Sequence, residues 1–227
     1  MSRQQIKVAI LDEHPLAVCG LRLALVEAGF DVVDAVTGAS GLFDVLDEHE
    51  CDVVVADYSM TRGNSMDGWC FLSSLAMKHA GLPVLVYSRF DDPFLIGSLA
   101  QRGVAGIVSK SENLSQVFDA VRALARGRRF RSPLVEAALH RFHAEPELQR
   151  FGALTARQME IAGFMLCGMS VVETSRLLGR GKSTISKRRI MAYQQLGFSR
   201  ESDLYLFASR RKLWLNGMQA ALDIRRA

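Results

Sequence analysis

Cys51-Asp52-Val53-Val54-Val55-Ala56-Asp57 decides the fold. Three β-branched valines and an alanine stand in a row and end abruptly in a carboxylate. A segment apolar at every position reads as a strand covered on both faces, as in the centre of a parallel sheet. In open α/β sheets chemistry lies beyond the carboxyl ends of the strands, and Asp57 falls there. An Asp that closes a strand is more often a cap or turn residue, so its meaning rests on what the other strands bring to that edge.

Working outward, apolar runs alternate with helical patterns. Lys7–Leu11 reads as a strand, Pro15–Ala28 as a helix, Phe30–Val36 as a strand and Ala39–Glu48 as a helix. Beyond Asp57 come a helix over Trp69–Lys78, a strand over Pro83–Tyr87 and a helix over Pro93–Gln101. A fifth strand, Ala105–Val108, and a helix over Leu114–Arg126 close the pattern. Strands and helices alternating in this way predict βαβ units, here a five-stranded doubly wound parallel sheet.

The strand ends carry the chemistry. The first ends in Asp12-Glu13-His14-Pro15, the third in Asp57, the fourth in Tyr87-Ser88 and the fifth in Ser109-Lys110. Three acids, a hydroxyl and an amine thus converge on one edge. Clustered carboxylates repel unless a cation joins them, and an oxygen-rich site that leaves room for water suits Mg²⁺. With an ammonium and a hydroxyl opposite, such a site can accept and hold a phosphoryl group, its charge neutralised by the metal and Lys110. His14 reads as a core or capping histidine outside this set.

In this constellation residues 5–126 resemble the receiver domain of two-component response regulators. The resemblance implies that Asp57 takes a phosphoryl group from a histidine kinase or phosphotransfer protein. It implies further that Asp12, Glu13, Asp57 and the backbone carbonyl of Ser59 hold Mg²⁺. Lys110 would pair with the phosphate and Ser88 would move to bond it. Four positions depart from the family pattern. Thr61 stands for a frequent Pro and is followed by a polar Arg62-Gly63-Asn64-Ser65 insertion. Ser88 replaces Thr, Ile107 replaces a switch aromatic, and Glu13 replaces the commoner second Asp.

At 227 residues, with 49% hydrophobic and 23% charged residues, the chain is long enough for two small domains with real cores. It shows neither a bilayer-spanning run nor a signal-peptide pattern, so a cytoplasmic location without membrane attachment is expected. Cys19, Cys51, Cys70 and Cys167 are widely spaced among apolar residues and read as buried free thiols in a reducing compartment. Charge is divided unevenly. Residues 1–125 hold 9 Lys and Arg against 16 Asp and Glu, whereas residues 126–227 hold 19 against 8. An acidic half joined to a basic one predicts two domains, the second facing a polyanion.

The expected organisation is a receiver at 1–126, a linker with a short helix (Leu134–Phe142) at 127–152, a DNA-binding domain at 153–213 and an unassigned tail at 214–227. Arg126, Arg128, Arg129 and Arg131 form a basic run at the start of the linker, which is most often solvated but could also touch DNA phosphates or rest against the first domain. From Leu154 the pattern is helical: Thr155 and Ser170 are N-caps, Gly179-Arg180-Gly181 makes a turn, and Lys182 starts a third helix that ends at Leu196-Gly197. Short helices joined by a tight glycine turn form a helix-turn-helix. In the third helix Ile185, Ala192 and Leu196 share a buried face. Ser183, Ser186, Lys187 and Ile190 point outward with Arg188 and Arg189 at the flanks, a pattern suited to the DNA major groove.

The segment from Leu154 to Ala208 resembles the LuxR-type helix-turn-helix of NarL/FixJ response regulators, and is most similar to an RcsB-like subgroup. Leu154-Thr155-Ala156-Arg157, Gly168-Met169-Ser170, Glu173, Leu178, Thr184-Ile185-Ser186 and Leu196-Gly197 carry the likeness. Thr174-Ser175 departs from the usual Ile-Ala, and Arg188 from a frequent His. The resemblance implies that Lys182, Ser183, Thr184, Ser186, Lys187, Arg188, Arg189 and Ile190 insert into double-stranded DNA. One helix-turn-helix offers a small interface, so phosphorylation is expected to favour a homodimer, or a heterodimer, on paired half-sites. The chain then reads as a transcriptional regulator and not an enzyme. Two rivals are a transcription factor controlled by a protein partner independently of phosphate, and an aspartyl-phosphate phosphohydrolase. The second lacks an acid two residues after Asp57, where Ser59 stands.

Overall fold

A computed structural model describes residues 5–58, 68–89, 93–144, 153–166 and 169–210. Strands β1 (Lys7–Leu11), β2 (Asp31–Val36), β3 (Val53–Ala56), β4 (Val84–Ser88), β5 (Gly106–Ser109) and β6 (Phe130–Arg131) form one parallel sheet in the order β2-β1-β3-β4-β5-β6. Helices α1 (Pro15–Glu27), α2 (Ala39–Glu48), α3 (Gly68–Lys78), α4 (Pro93–Gln101) and α5 (Ser115–Leu124) fall between the strands. As its composition predicts, β3 is buried at every position. Val8, Ile10, Val53, Val55, Leu85 and Val108 pack with Leu21 and Leu25 of α1 and Val117, Val121 and Leu124 of α5. Each such side chain contributes roughly 1.5–3 kcal/mol by leaving water.

Six strands, not five, make the sheet. The sixth comes from the segment read as a linker charge run. Gly127, at φ +70°, turns the chain after α5, a left-handed conformation that costs glycine little. Phe130 then pairs with Gly106, and Arg131 with Ile107. Of the alternatives open to that run, Arg131 takes the one in which it rests against the sheet. Its guanidinium donates to the carbonyls of Val104 (2.7 Å), Ala105 (3.0 Å) and Phe130 (2.8 Å). Packing is close at Gly106 on β5: a Cβ there would lie 2.8 Å from Leu124 Cδ1 and 2.9 Å from Leu85 Cδ1, so those two side-chain ends would have to shift.

The cysteines also correct an expectation. Cys19 is exposed on α1, beside the exposed Leu16, Leu23 and Val26. Cys51 is half-buried, and its thiol donates to the Val53 carbonyl at 3.2 Å. Burial pushes that thiol above its ordinary pKa. The side chains of Cys70 and Cys167 lie outside the described residues.

Contacts divide the chain into two compact units: Met1–Arg89 with Val104–Leu134 and Leu177–Gly179, and Phe90–Gly103 with Val135–Arg176 and Arg180–Ala227. The first holds the sheet. The second is helical, with α4, α6 (Pro133–Ala144), α7 (Ala156–Leu166), α8 (Val171–Leu177), α9 (Lys182–Gln195) and α10 (Glu201–Arg210). Within it α7 packs against α4, α9 and α10. Ile161, Phe164, Met165, Ile185, Ala192, Leu196 and Leu204 are buried.

Two reciprocal caps start α7 and α8. Thr155 N–H donates to Gln158 Oε1 (2.8 Å) while Gln158 N–H donates to Thr155 Oγ1 (3.3 Å). Ser170 N–H donates to Glu173 Oε2 (2.7 Å) while Glu173 N–H donates to Ser170 Oγ (3.2 Å). Each arrangement satisfies donors that a helix start otherwise leaves unmade. Among the described residues no helix is long and apolar enough to cross a membrane.

Candidate functional site

Parallel register assembles the site. Leu11 is level with Ala56 across β1 and β3, so the next residues, Asp12 and Asp57, emerge side by side. The Asp57 N–H is held by the Leu11 carbonyl at 2.8 Å, and the Asp12 N–H by the Val36 carbonyl at 3.2 Å. On the other side, Ser88 is level with Ser109 across β4 and β5, and the Lys110 N–H donates to the Ser88 carbonyl at 2.8 Å. Because all strands run the same way, Asp12, Glu13, Asp57, Ser88 and Lys110 reach one edge. Asp12, Glu13, Asp57 and Ser88 are all buried.

Lys110 is the electrostatic centre of this cluster. Its Nζ lies 2.5 Å from Asp12 Oδ2 and 3.0 Å from Asp57 Oδ2. Burial acts to lower the Lys110 pKa, but the charge of Asp57 and the hydrogen bond and charge of Asp12 outweigh it, leaving the ammonium raised. The same Nζ stands 5.5 Å from the centroid of the Tyr87 ring, within cation–π range. Burial raises the Tyr87 phenol. The sequence named Tyr87 only as the neighbour of Ser88. Its place under the ammonium follows from the β4–β5 register, for which no local pattern existed.

His14 is placed differently from its expected role. It occupies the N-cap position of α1, but its side chain makes no capping hydrogen bond. Nor is it a core residue, since 43% of the side chain is exposed. Its backbone N–H donates to Asp12 Oδ1 at 2.9 Å, and its ring Nδ1 lies 3.2 Å from the same oxygen. Asp12, His14 and Asp57 each offer a ligand atom, and these atoms all lie within 4.8 Å of one another. Glu13 is buried beside them, with an oxygen 3.9 Å from His14 Nε2, but is not in that three-atom group. Two buried carboxylates and an adjacent third form an oxygen-rich donor set that fits a small divalent cation. Ser59, expected to lend a carbonyl, lies outside the described residues.

In the second unit α9 presents the residues expected at DNA. Lys182, Ser183, Thr184, Lys187, Arg188 and Ile190 are exposed, while Ser186 is half-buried. Ile185, Ala192 and Leu196 are buried, as the periodicity requires. Arg189 departs from its expected flanking position: it is half-buried, with its guanidinium carbon 5.9 Å from the centroid of the Tyr193 ring. Tyr193 is itself buried. Arg189 stands four residues after Ile185 and three before Ala192, so the period that buries those two also draws Arg189 toward their face.

Residues 8–122 match the family model of the response regulator receiver domain. The probable transcriptional regulatory protein NarL of Mycobacterium tuberculosis is 26% identical over 211 residues, covering 92% of this chain and 96% of that protein. The transcriptional regulatory protein RcsB of Escherichia coli is 24% identical over 202 residues, covering 88% and 92%. In fold, the chain is similar to RcsB from Salmonella enterica serovar Typhimurium bound to promoter P1flhDC with phosphomimetic BeF3⁻. That likeness has a TM-score of 0.71 at 23% identity and covers 91% of this chain and 100% of that one.

Proposed function

The chain belongs to the response regulator receiver-domain family, and from that premise we propose that it is a DNA-binding transcriptional regulator switched by phosphorylation of Asp57. The observation that carries the reading is the Lys110 ammonium shared between Asp12 and Asp57 at the carboxyl edge of the sheet. An Asp57 oxygen forms a bond to phosphorus as the phosphorus–nitrogen bond of a phosphohistidine donor breaks, and the departing imidazole keeps the electron pair. Lys110 stands where it can turn from the carboxylates to the incoming phosphoryl oxygens, offsetting charge as it develops. Ser88, on the neighbouring strand, offers a hydroxyl to the same group. Asp12, Glu13 and Asp57 would hold Mg²⁺, which supplies further neutralisation of the phosphoryl oxygens.

In this reading the donor is a histidine kinase or phosphotransfer protein, and the phosphorylated chain pairs with a second copy on double-stranded DNA. The exposed hydroxyls and amines of α9, with the excess of basic residues after 126, support the DNA assignment. The names of the NarL and RcsB relatives agree with a regulatory and not an enzymatic role.

The test is incubation with acetyl phosphate and Mg²⁺, wild type beside Asp57→Ala, with mass and promoter affinity read together. The expected result is one added phosphoryl group and tighter DNA binding, both lost in the variant. DNA binding with no phosphoryl gain would instead favour control by a protein partner. Ile107 motivates that second reading: it is buried in β5 where a switch aromatic would otherwise rotate.

A further inference from the structure

The cationic helix α9 carries an apolar spot that neither its fold nor phosphate binding uses. Its 14 residues include Lys182, Lys187, Arg188 and Arg189 and no acid. Ile190 and Met191 nevertheless stand 48% exposed each, and every other exposed residue of the helix is polar. A single exposed apolar side chain is ordinary on a protein surface. Two large neighbours set among exposed amines and hydroxyls instead suit a polyanion that itself carries apolar spots.

Helical geometry says where that spot falls. Ser183, Lys187 and Ile190 stand at i, i+4 and i+7 and so share one face. At 1.5 Å per residue, Ile190 lies about 10 Å along the helix from Ser183, close to three base steps of about 3.4 Å. Arg189 is half-buried beside the Tyr193 ring, and Ala192 is buried. Ile190 and Met191 are therefore what this turn of α9 shows to a partner.

Isoleucine can neither donate nor accept a hydrogen bond, so against most base edges it would strip water from polar groups and return nothing. The thymine C5-methyl is the apolar group that a base pair presents in the major groove, and there both surfaces gain by leaving water. The β-branch of Ile190 also holds its first torsion in one preferred state on a helix, so little freedom is lost on contact. We infer that Ile190 packs on a thymine 5-methyl group in the major groove, with Met191 extending the contact, and that each half-site carries a thymine about three base pairs from the position Ser183 faces. The inference rests on the reading that α9 enters DNA, and adds the base it reads there.

The test uses the full chain, treated with acetyl phosphate and Mg²⁺, and random-sequence duplexes from which it enriches a preferred site. Each thymine of that site is then replaced in turn by deoxyuridine, which removes the methyl group and keeps the base pairing. At one thymine in a half-site the replacement should weaken wild-type binding about fourfold, the value of one buried methyl-sized group. Ile190→Ala, a change at an exposed position that helix propensity favours, should bind the thymine and deoxyuridine duplexes equally. Ile190→Val, which keeps a branched apolar end, should retain part of the preference. Wild-type binding indifferent to deoxyuridine at every position, or a thymine preference undiminished in Ile190→Ala, would overturn the inference and leave α9 as the DNA-binding helix. Failure of the folded, phosphorylated chain to enrich any duplex would overturn the DNA reading as well.

Discussion

Lys110 shows how one side chain can hold a charged pocket together. Two carboxylates brought side by side by strand register would repel, and one ammonium at 2.5 and 3.0 Å offsets both. This cluster was readable in advance because each acid, hydroxyl and amine ends an apolar run. His14 was not. Its sequence neighbours suggested a cap, whereas its distance to Asp57 is set by β1–β3 pairing, which no local pattern encodes. A second residue-scale consequence concerns Thr174. It is fully buried in α8, and its hydroxyl has no hydrogen-bond partner among the described residues. A buried polar atom left unsatisfied costs about 1–3 kcal/mol. Thr174→Val keeps the shape and removes the hydroxyl, so it should stabilise the folded chain by about 1 kcal/mol. Urea denaturation of the two proteins measures the difference, and equal midpoints would show that the hydroxyl has a partner in solution.

At the scale of elements, helix starts are where sequence and structure agree most closely. Thr155 and Ser170 each stand three residues before a side chain that returns their hydrogen bond. The Ser170 cap also gives α8 a pH dependence. Hydrogen bonds to Ser170, first through its side chain and then its backbone, hold the Glu173 carboxyl below its ordinary value of 4.5. A carboxyl depressed in the folded state contributes stability above the unfolded value and loses it as pH falls through the folded one. Ser170→Ala should therefore cost about 1 kcal/mol at neutral pH, and the gap to wild type should narrow below pH 4.5. Thermal unfolding across pH 3 to 7 is the measurement. A constant gap would assign the effect to helix propensity alone. Elements without such signals were misread for definite reasons. β6 has two residues, too few for any period to register. Cys19 sits in a helix apolar nearly all round, so apolar neighbours could not tell its outer face from its inner one; Leu16 is 85% exposed on the same helix.

The whole molecule is divided by charge as well as by fold. The acidic excess lies in residues 1–125 and the basic excess in 126–227, a division visible before any element was assigned. On the proposed reading, DNA affinity rests partly on phosphate neutralisation, and it should fall steeply with salt. Lys187 is exposed on α9, and Lys187→Ala should weaken promoter binding while reducing the salt slope by about 1. Mass gain on Asp57 should be unchanged. Binding isotherms at several salt concentrations test this, and an unaltered slope would remove Lys187 from the interface. The six-stranded sheet carries a different implication for the molecule in solution. A bare flank on β5 would offer its carbonyls as a template for a stranger's backbone. Arg131 already occupies the carbonyls of Val104 and Ala105, and β6 is too short to recruit a long strand in its turn. That flank is closed to fibril-like growth, so a crowded solution of this protein is protected there from strand-by-strand aggregation.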